Sequence, residues 1–128
     1  MKQSFSVLPQ SFVIARLESN ADLPSAVLAS PDFFSITRTG DELSIVCAEG
    51  VAAGSSKEDG PWRAIKVQGP FDFDLTGVLA SFLDPLAAAG IGIFAMSTFD
   101  TDYILVKSAN LDSAVEALKE AGHRFFGE

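Results

Sequence analysis

One stretch of the sequence, residues 70–106, joins a loop and a helix pattern to two strand patterns and constrains the fold more than any other segment. Apolar side chains recur at helical spacing from Leu75 to Leu86, which predicts an amphipathic helix. Asp74 lies just before this pattern and can cap the first turn. Gly90 follows it, at the place where a left-handed residue commonly ends a helix. The sequence therefore predicts a helix that begins at Leu75.

Two strands follow this helix. Residues 91–96, IGIFAM, carry no polar face, which is typical of a strand covered on both sides. Residues 99–102, FDTD, predict a turn, and residues 103–106, YILV, predict a returning strand. Pro85 lacks an amide hydrogen and crowds the carbonyl of Ser81, so we expect the helix to kink or divide there.

The residues from Asp74 to Val106, DLTGVLASFLDPLAAAGIGIFAMSTFDTDYILV, closely resemble ACT-domain proteins of the CASTOR type. These are bacterial homologues of the animal cytosolic arginine sensor and are built from paired ACT modules. Residues 37–47, TRTGDELSIVC, are also similar to that family, so the resemblance covers most of the chain. It implies a protein that binds amino acids or regulates, without catalysis of its own.

The two halves of the sequence follow a common order of predicted elements. The helix pattern that starts at Asp22 aligns with the one that starts at Asp74, and residues 43–46 align with residues 103–106. The second alignment is offset by 60 and places Glu42 opposite Asp102. We therefore predict an α+β fold of two tandem ferredoxin-like (ACT) βαββαβ units, the first of them abbreviated.

The predicted boundary between the units lies near residue 60. Residues 1–60 are expected to form the abbreviated N-terminal unit, with an exposed linker at 50–60, and residues 61–128 the complete C-terminal unit. Further expectations concern single residues: Pro9 bounds the first strand, Asp22 caps the first helix, and His123 faces solvent at a helix end. A final helix is predicted over residues 110–121, with a buried stripe of Leu111, Ala114, Val115 and Leu118.

Composition narrows the classes of partner and compartment. The net charge is −8, and the 9 Lys and Arg residues do not cluster. Nucleic acid and anionic membranes attract clustered basic residues, so neither is an expected partner. Cys47 is the single cysteine and lies in a strand pattern, where a small buried hydrophobe is the expected role. Without a disulfide framework, signal core or membrane-spanning run, the sequence predicts a cytoplasmic protein.

The candidate site combines the start of the predicted helix with the turn after the buried strand. Amide groups of Leu75, Thr76 and Gly77 at a helix start would attract a carboxylate, and Gly77 permits close approach. The hydroxyls of Ser97 and Thr98 can donate or accept hydrogen bonds, and Asp100 or Asp102 can receive an ammonium group. The ligand that suits these groups is a free amino acid.

The resemblance implies a similar site, because ligands of that family bind near the loop between the first strand and first helix of a unit. It favours Asp102 as the acidic position. The predicted ligand-binding residues are Asp72, Asp74, Leu75, Thr76, Gly77, Gly92, Ile93, Ser97, Thr98 and Asp102.

Other interpretations of the same residues stay open. Asp74 can be only a helix cap, and Asp100 and Asp102 can be only turn formers. The aspartates lack the other oxygen ligands of a calcium loop, and one Cys with one His gives little support to catalysis or zinc, so no metal or cofactor is expected. The alternative to an amino-acid sensor is a ligand-free assembly module that oligomerises or docks on a metabolic enzyme. Unpaired sheet edges of an abbreviated unit predict a homodimer in either case.

Overall fold

The computed structural model describes residues 2–51, 53–69 and 76–127. The elements in chain order are β1 (Ser4–Leu17), α1 (Ser25–Leu28), β2 (Ser35–Arg38), β3 (Leu43–Ala48), β4 (Lys57–Val67), α2 (Val78–Ala88), β5 (Ile93–Ser97), β6 (Asp102–Lys107), a 3₁₀ turn (Ser108–Asn110), α3 (Leu111–Glu120) and β7 (Arg124–Phe125).

The chain divides into two compact units. The C-terminal unit consists of Met1–Pro9 together with Arg63–Glu128, and the N-terminal unit consists of Gln10–Trp62. β1 and β4 are long strands that each contribute residues to both units. The sequence places one division near residue 60, whereas the first nine residues lie in the C-terminal unit. Their membership depends on strand pairing with distant residues, which local sequence patterns do not record.

The C-terminal unit contains the complete βαββαβ order, β4-α2-β5-β6-α3-β7. Its strands are arranged β7-β1-β4-β6-β5. β5 and β6 form an antiparallel hairpin in which Ile93 pairs with Val106 and Ser97 with Asp102. β7 pairs in parallel with β1, with Ser4 opposite Arg124, so the start of β1 lies between the last strand and β4. The predicted α+β, ferredoxin-like fold with an abbreviated first copy is confirmed. The sheet of the C-terminal unit contains one strand more than that fold, the start of β1.

The core of the C-terminal unit lies between its sheet and the two helices. α2 buries Val78, Phe82 and Leu86, and α3 buries Leu111, Ala114 and Leu118. The sheet contributes the buried side chains of Phe5, Val7, Ile65, Val67, Ile104 and Val106. Val115, the fourth member of the predicted α3 stripe, packs partly buried against this cluster. Alternation and helical spacing therefore located the core-facing side chains of α3 and β4 correctly.

The start of α2 differs from the sequence prediction. The helix begins at Val78, and the residue at its N-cap is Gly77, with φ of 82° and no side-chain cap. Glycine takes this left-handed conformation without the clash of a Cβ atom, so the chain enters the helix there. The prediction that the helix begins at Leu75 is wrong, and Asp74, its expected cap, lies outside the described residues.

α2 continues through Pro85 as one helix, so the expected division does not occur. The carbonyl of Ser81, which would accept from an amide at position 85, instead lies 2.8 Å from Nε2 of His123. Nδ1 of the same ring accepts the amide of Gln3 at 3.1 Å, so Nε2 carries the hydrogen that Ser81 accepts. The ring also stacks on Phe82, with centroids 4.0 Å apart.

His123 is only 4% exposed, so the prediction that it faces solvent is wrong. Its amide donates to the carbonyl of Leu118 at 3.0 Å, which turns the chain back after α3 and carries the ring under α2. The sequence predicted exposure because His123 follows a helix-ending glycine. The carbonyl of Ser81, which Pro85 leaves without an amide donor, provides a hydrogen-bond partner for the ring inside the unit.

The N-terminal unit has the strand order β2-β3-β1-β4. β2 and β3 form the predicted hairpin, with Ser35 opposite Val46 and Arg38 opposite Leu43. The buried cluster on one face consists of Ala15, Val27, Leu43, Ile45, Cys47 and Ala53. Cys47 is a buried free thiol, as predicted, and burial together with the nearby charge of Glu58 raises its pKa. The thiol is therefore protonated at neutral pH and serves as a small apolar side chain.

Two local expectations for this unit are wrong. β1 runs through Pro9 instead of starting after it. The N-cap of the one-turn helix α1 is Pro24, and Asp22 is exposed outside it. The segment expected to be an exposed linker, residues 50–60, is exposed at Gly50, at Gly54 and over residues 56–60, while Ala53 is buried and β4 begins at Lys57. Residues 57–60 have no apolar alternation, so their strand conformation follows from their place beside β1 in the sheet.

A double-mutant cycle tests the link between Pro85 and His123. His123→Phe keeps a ring against Phe82 but leaves the Gln3 amide and the Ser81 carbonyl without their partner, so unfolding free energy should fall by about 2–4 kcal/mol. In a Pro85→Ala background the amide of residue 85 can donate to Ser81, and the same substitution should cost about 1 kcal/mol less. Urea denaturation measures all four proteins. Strictly additive effects would contradict the link.

Candidate functional site

The turn between β5 and β6 is closed by its own side chains. The hydroxyl of Ser97 donates to Oδ1 of Asp102 at 2.5 Å, where the two residues pair across the hairpin. Inside the turn the amide of Thr98 donates to the carbonyl of Thr101 at 2.8 Å, and the amide of Thr101 donates back to Oγ1 of Thr98 at 3.3 Å. The turn therefore has a defined shape before any ligand binds.

The same turn is fixed against the end of β4. Thr101 is 6% exposed, and its hydroxyl donates to the carbonyl of Val67. Gly69 lies so close to the turn that a Cβ atom at this position would be 2.5 Å from the carbonyl oxygen of Asp100. This close approach requires a residue without a side chain at position 69.

A cavity of about 180 Å³ lies beside this contact. It brings together one cationic and one anionic residue, Lys66 from β4 and Asp100 from the turn. The rest of its lining is mostly polar and consists of Gln68, Gly69, Thr98, Thr101 and Tyr103. Opposite charges and hydroxyl groups around a small cavity can hold a molecule with one carboxylate and one ammonium group.

The structure divides the sequence-predicted residues. Ser97, Thr98 and Asp102 meet at the β5–β6 turn. Gly92 and Ile93 lie at the other end of β5, about 13 Å away along an extended strand. Thr76 and Gly77 are exposed residues ahead of α2. Asp72, Asp74 and Leu75 lie outside the described residues.

Sequence reasoning missed Lys66, Gln68 and Tyr103 as cavity residues. The alternation of residues 62–68 did place Lys66 and Gln68 on the face opposite Ile65 and Val67. That pattern alone does not say which strand lies beside β4. The neighbour is β6, which brings Tyr103 to the same cavity.

The internal repeat has a different register from the one aligned by sequence. In the N-terminal unit the amide of Thr39 donates to the carbonyl of Glu42 at 2.9 Å, and the amide of Glu42 donates to Oγ1 of Thr39 at 3.2 Å. Thr98 and Thr101 make the same two bonds in the C-terminal unit. The structural counterpart of Glu42 is therefore Thr101, and the alignment of Glu42 with Asp102 is wrong by one residue. A slip of one residue exchanges the two faces of a strand.

A search of solved structures finds the same architecture. An X-ray structure of a protein from Agrobacterium tumefaciens covers 100% of this chain and 95% of its own, with a TM-score of 0.92 and 41% identity. The regulatory subunit of aspartate kinase from Thermus flavus matches 94% of this chain and 97% of its own, with a TM-score of 0.65. At 11% identity the second likeness shows the fold alone. Both likenesses agree with the fold described above.

Family comparison makes the assignment specific. A family model described as ACT domain matches residues 57–120, which is half of the 128 residues, and a model described as an N-terminal domain matches residues 10–53. The chain belongs to the ACT domain family.

Two human relatives confirm the resemblance to CASTOR-type proteins. Cytosolic arginine sensor for mTORC1 subunit 1 is 39% identical over 59 residues, 45% of this chain and 18% of that protein. CASTOR3P is 32% identical over 99 residues, 67% of this chain and 61% of that protein. The chain thus spans less than a fifth of the length of the human arginine sensor.

The part of the chain that the structure describes contains no helix long and apolar enough to cross a membrane. In the same residues, no group of three or more His, Cys, Asp or Glu side chains is placed to hold a metal ion.

The contact between Gly69 and the turn gives a test with a matched control. Gly69→Ala should lower unfolding free energy by about 1–3 kcal/mol, because the new methyl group collides with the backbone of Asp100. At Gly92 a Cβ atom would meet nothing within 4 Å, so Gly92→Ala should change the unfolding free energy by less than about 0.5 kcal/mol. Denaturant titration measures both variants, and equal stabilities would contradict the close approach.

Proposed function

We propose that this chain is a regulatory ACT-domain protein that binds a free amino acid, or a related molecule with one carboxylate and one ammonium group, and has no catalytic activity. The observation that carries the proposal is the cavity that Lys66 and Asp100 line together. Its polar lining suits a charged ligand better than an apolar one.

Of the residues that the sequence predicted at this end of β5, Thr98 lines the cavity. Ser97 and Asp102 pair with each other beside it, but Asp102 alternates with Tyr103 along β6, so its side chain lies on the opposite face of the sheet. The ligand's carboxylate contacts Lys66, and its ammonium group contacts Asp100. The sequence-predicted residues between β4 and α2, Asp72, Asp74, Leu75, Thr76 and Gly77, stay proposed ligand contacts. Gly92 and Ile93 contribute to the unit's edge and not to this cavity.

The human relative's name states that it senses arginine, so arginine is the first ligand to test here. The acidic turn is compatible with a cationic ligand, because Asp100 and Asp102 supply two carboxylates. We further propose that the C-terminal unit is the ligand-binding ACT unit, that the N-terminal unit is its abbreviated partner, and that the protein acts in the cytoplasm.

A second candidate function is assembly without a ligand. β5 is the last strand in the order of the C-terminal sheet, and Ile93 on it is 37% exposed. An apolar edge strand can pair with the same strand of a second molecule, so a homodimer is proposed under either function. Light scattering at micromolar concentration should report a dimer with or without amino acids, and a monomer in both conditions would contradict it.

Thermal denaturation separates the two functions. A ligand that binds only the folded protein raises the melting temperature as its own concentration rises, by mass action. A pure assembly module responds to protein concentration alone. A panel of amino acids, headed by arginine, should raise the melting temperature at fixed protein concentration, and no response to any of them would favour the assembly function.

Three substitutions test the site itself by calorimetry. Lys66→Gln and Asp100→Asn should each weaken binding by up to about fivefold, because Lys66 is half-buried and Asp100 is exposed, and such a charge contact contributes about 1 kcal/mol or less. Asp102→Asn tests the residue favoured by sequence against Asp100. Gly92→Ala is the matched control and should bind as wild type does. Wild-type affinity in all three charge variants would show that the site is wrongly placed.

A further inference from the structure

The N-terminal unit contains two adjoining cavities that the proposed function does not use. One has a volume of about 290 Å³ and the other of about 410 Å³. Leu17, Ala21 and Gly54 line both of them, so the two are lobes of one groove. All of its lining residues lie between Gln10 and Trp62, within one compact unit.

Arg38 holds one wall of the groove in place. From β2 its guanidinium donates to the carbonyls of Ser19 and Ala21, the second at 2.8 Å. The amide of Ala21 also donates to the carbonyl of Glu18 at 3.0 Å, which closes a turn. The segment after β1 therefore has a fixed backbone conformation although it is a loop.

Ser55 holds the opposite wall. Its hydroxyl donates to the carbonyl of Arg16 at 2.5 Å and accepts the amide of Lys57 at 2.9 Å. Gly54, with φ of 80°, turns the chain beside this contact and leaves open space where a side chain would be. Two side chains thus fix the two walls, and the groove exists without a ligand.

The smaller lobe carries two cationic residues, Arg16 and Lys57. Arg16 donates to the carbonyl of Asp41 at 2.9 Å and lies 3.7 Å from the carboxylate of Glu18. Glu18 is 80% exposed, and an exposed pair at that distance is weak, so a ligand can compete for the guanidinium. Among the described residues, Lys57 takes part in no ion pair. In a chain of net charge −8, this lobe favours an anionic group.

The larger lobe is mainly apolar. Leu23, Pro24, Ala26 and Ala53 line it, and the side chain of Leu23 is 43% exposed. Exposed apolar side chains along a groove lose contact with water when a hydrocarbon group covers them. The shared residue Leu17 places this surface next to the cationic lobe.

We propose that this groove is a second ligand site, which binds a small monocarboxylate with an apolar body. The carboxylate lies against Arg16 and Lys57, and the apolar body covers Leu23 and Ala53. A branched aliphatic acid and an amino acid with an aliphatic side chain share this chemistry, and Asp22 in the larger lobe can accept the ammonium group of the second.

Nuclear magnetic resonance titration of the full chain tests the proposal, with acetate, 4-methylvalerate and leucine as probes. Amide shifts should appear at residues 16–26 and 53–57, and 4-methylvalerate should bind more tightly than acetate because its body reaches the apolar lobe. If leucine is the tighter of the two longer probes, the ligand is an amino acid; if 4-methylvalerate is tighter, it is a simple acid. Equal affinity for acetate and 4-methylvalerate, or no shifts in these segments, would overturn the proposal.

Matched lysine variants separate this site from the one proposed in the C-terminal unit. Lys57→Gln should weaken the binding of 4-methylvalerate about tenfold, because one charge-assisted contact is lost. Lys66→Gln, which alters the other cavity, should leave that affinity unchanged. If Lys57→Gln binds as wild type does, or if Lys66→Gln weakens binding equally, the groove is not the site. If Lys66→Gln loses arginine binding but still binds 4-methylvalerate, only the C-terminal site is affected and the groove is supported as a separate site.

Discussion

The packing of the C-terminal unit depends on one carbonyl group, that of Ser81, which needs a hydrogen-bond donor from outside its own helix. Pro85 cannot donate to it, and a buried carbonyl without a partner costs about 1–3 kcal/mol. His123 meets the condition from the far end of α3, 2.8 Å away, and its other nitrogen accepts the amide of Gln3. One ring therefore connects α2, the end of α3 and the residue before β1. The stack on Phe82 and the edge contact of Phe82 with Phe5 continue this connection into the sheet.

The two units use one turn for different purposes. Thr39 and Glu42 close the β2–β3 turn with the same backbone and hydroxyl bonds that Thr98 and Thr101 make between β5 and β6. In the C-terminal unit the turn is fixed against Val67 by a buried hydroxyl and bounds a polar cavity. In the N-terminal unit its carbonyl at Asp41 accepts from Arg16, which lines the groove. The two turns share one geometry, and their different neighbours determine what each can contact.

The helical spacing and the strand patterns of the sequence predicted those elements whose partners lie nearby in the chain. The helical spacing of Leu111, Ala114 and Leu118 gave α3, and the two hairpins followed from strand runs around turn residues. The fold class also followed, because the order of elements in the second half is that of a ferredoxin-like unit. The spacing of apolar residues could not predict that α2 starts at Gly77. The left-handed backbone conformation of this glycine is not reflected in the pattern of apolar side chains.

The candidate site was only partly predictable for a related reason. Thr98, which lines the cavity, was predicted because it lies in the recognisable turn, and Lys66 was missed because its place depends on β4 lying beside β6. His123 was misplaced because its partner, Ser81, lies far away in the sequence. The one-residue error in the repeat arose because short apolar runs align equally well in either register, whereas hydrogen bonds distinguish them.

The place of β1 between β4 and β7 also affects the order in which the chain can fold during synthesis. Phe5 is fully buried in the C-terminal unit, and its partner in β7 is Phe125, which is synthesised long after it. The contacts within the N-terminal unit, by contrast, join residues 10–62 and can form once that segment has emerged. Bringing distant segments together costs loop-closure entropy before their contacts can stabilise the fold. β1 is thus made well before β4 and β7, its neighbours in that unit, and until they emerge a nascent chain must keep it from pairing elsewhere.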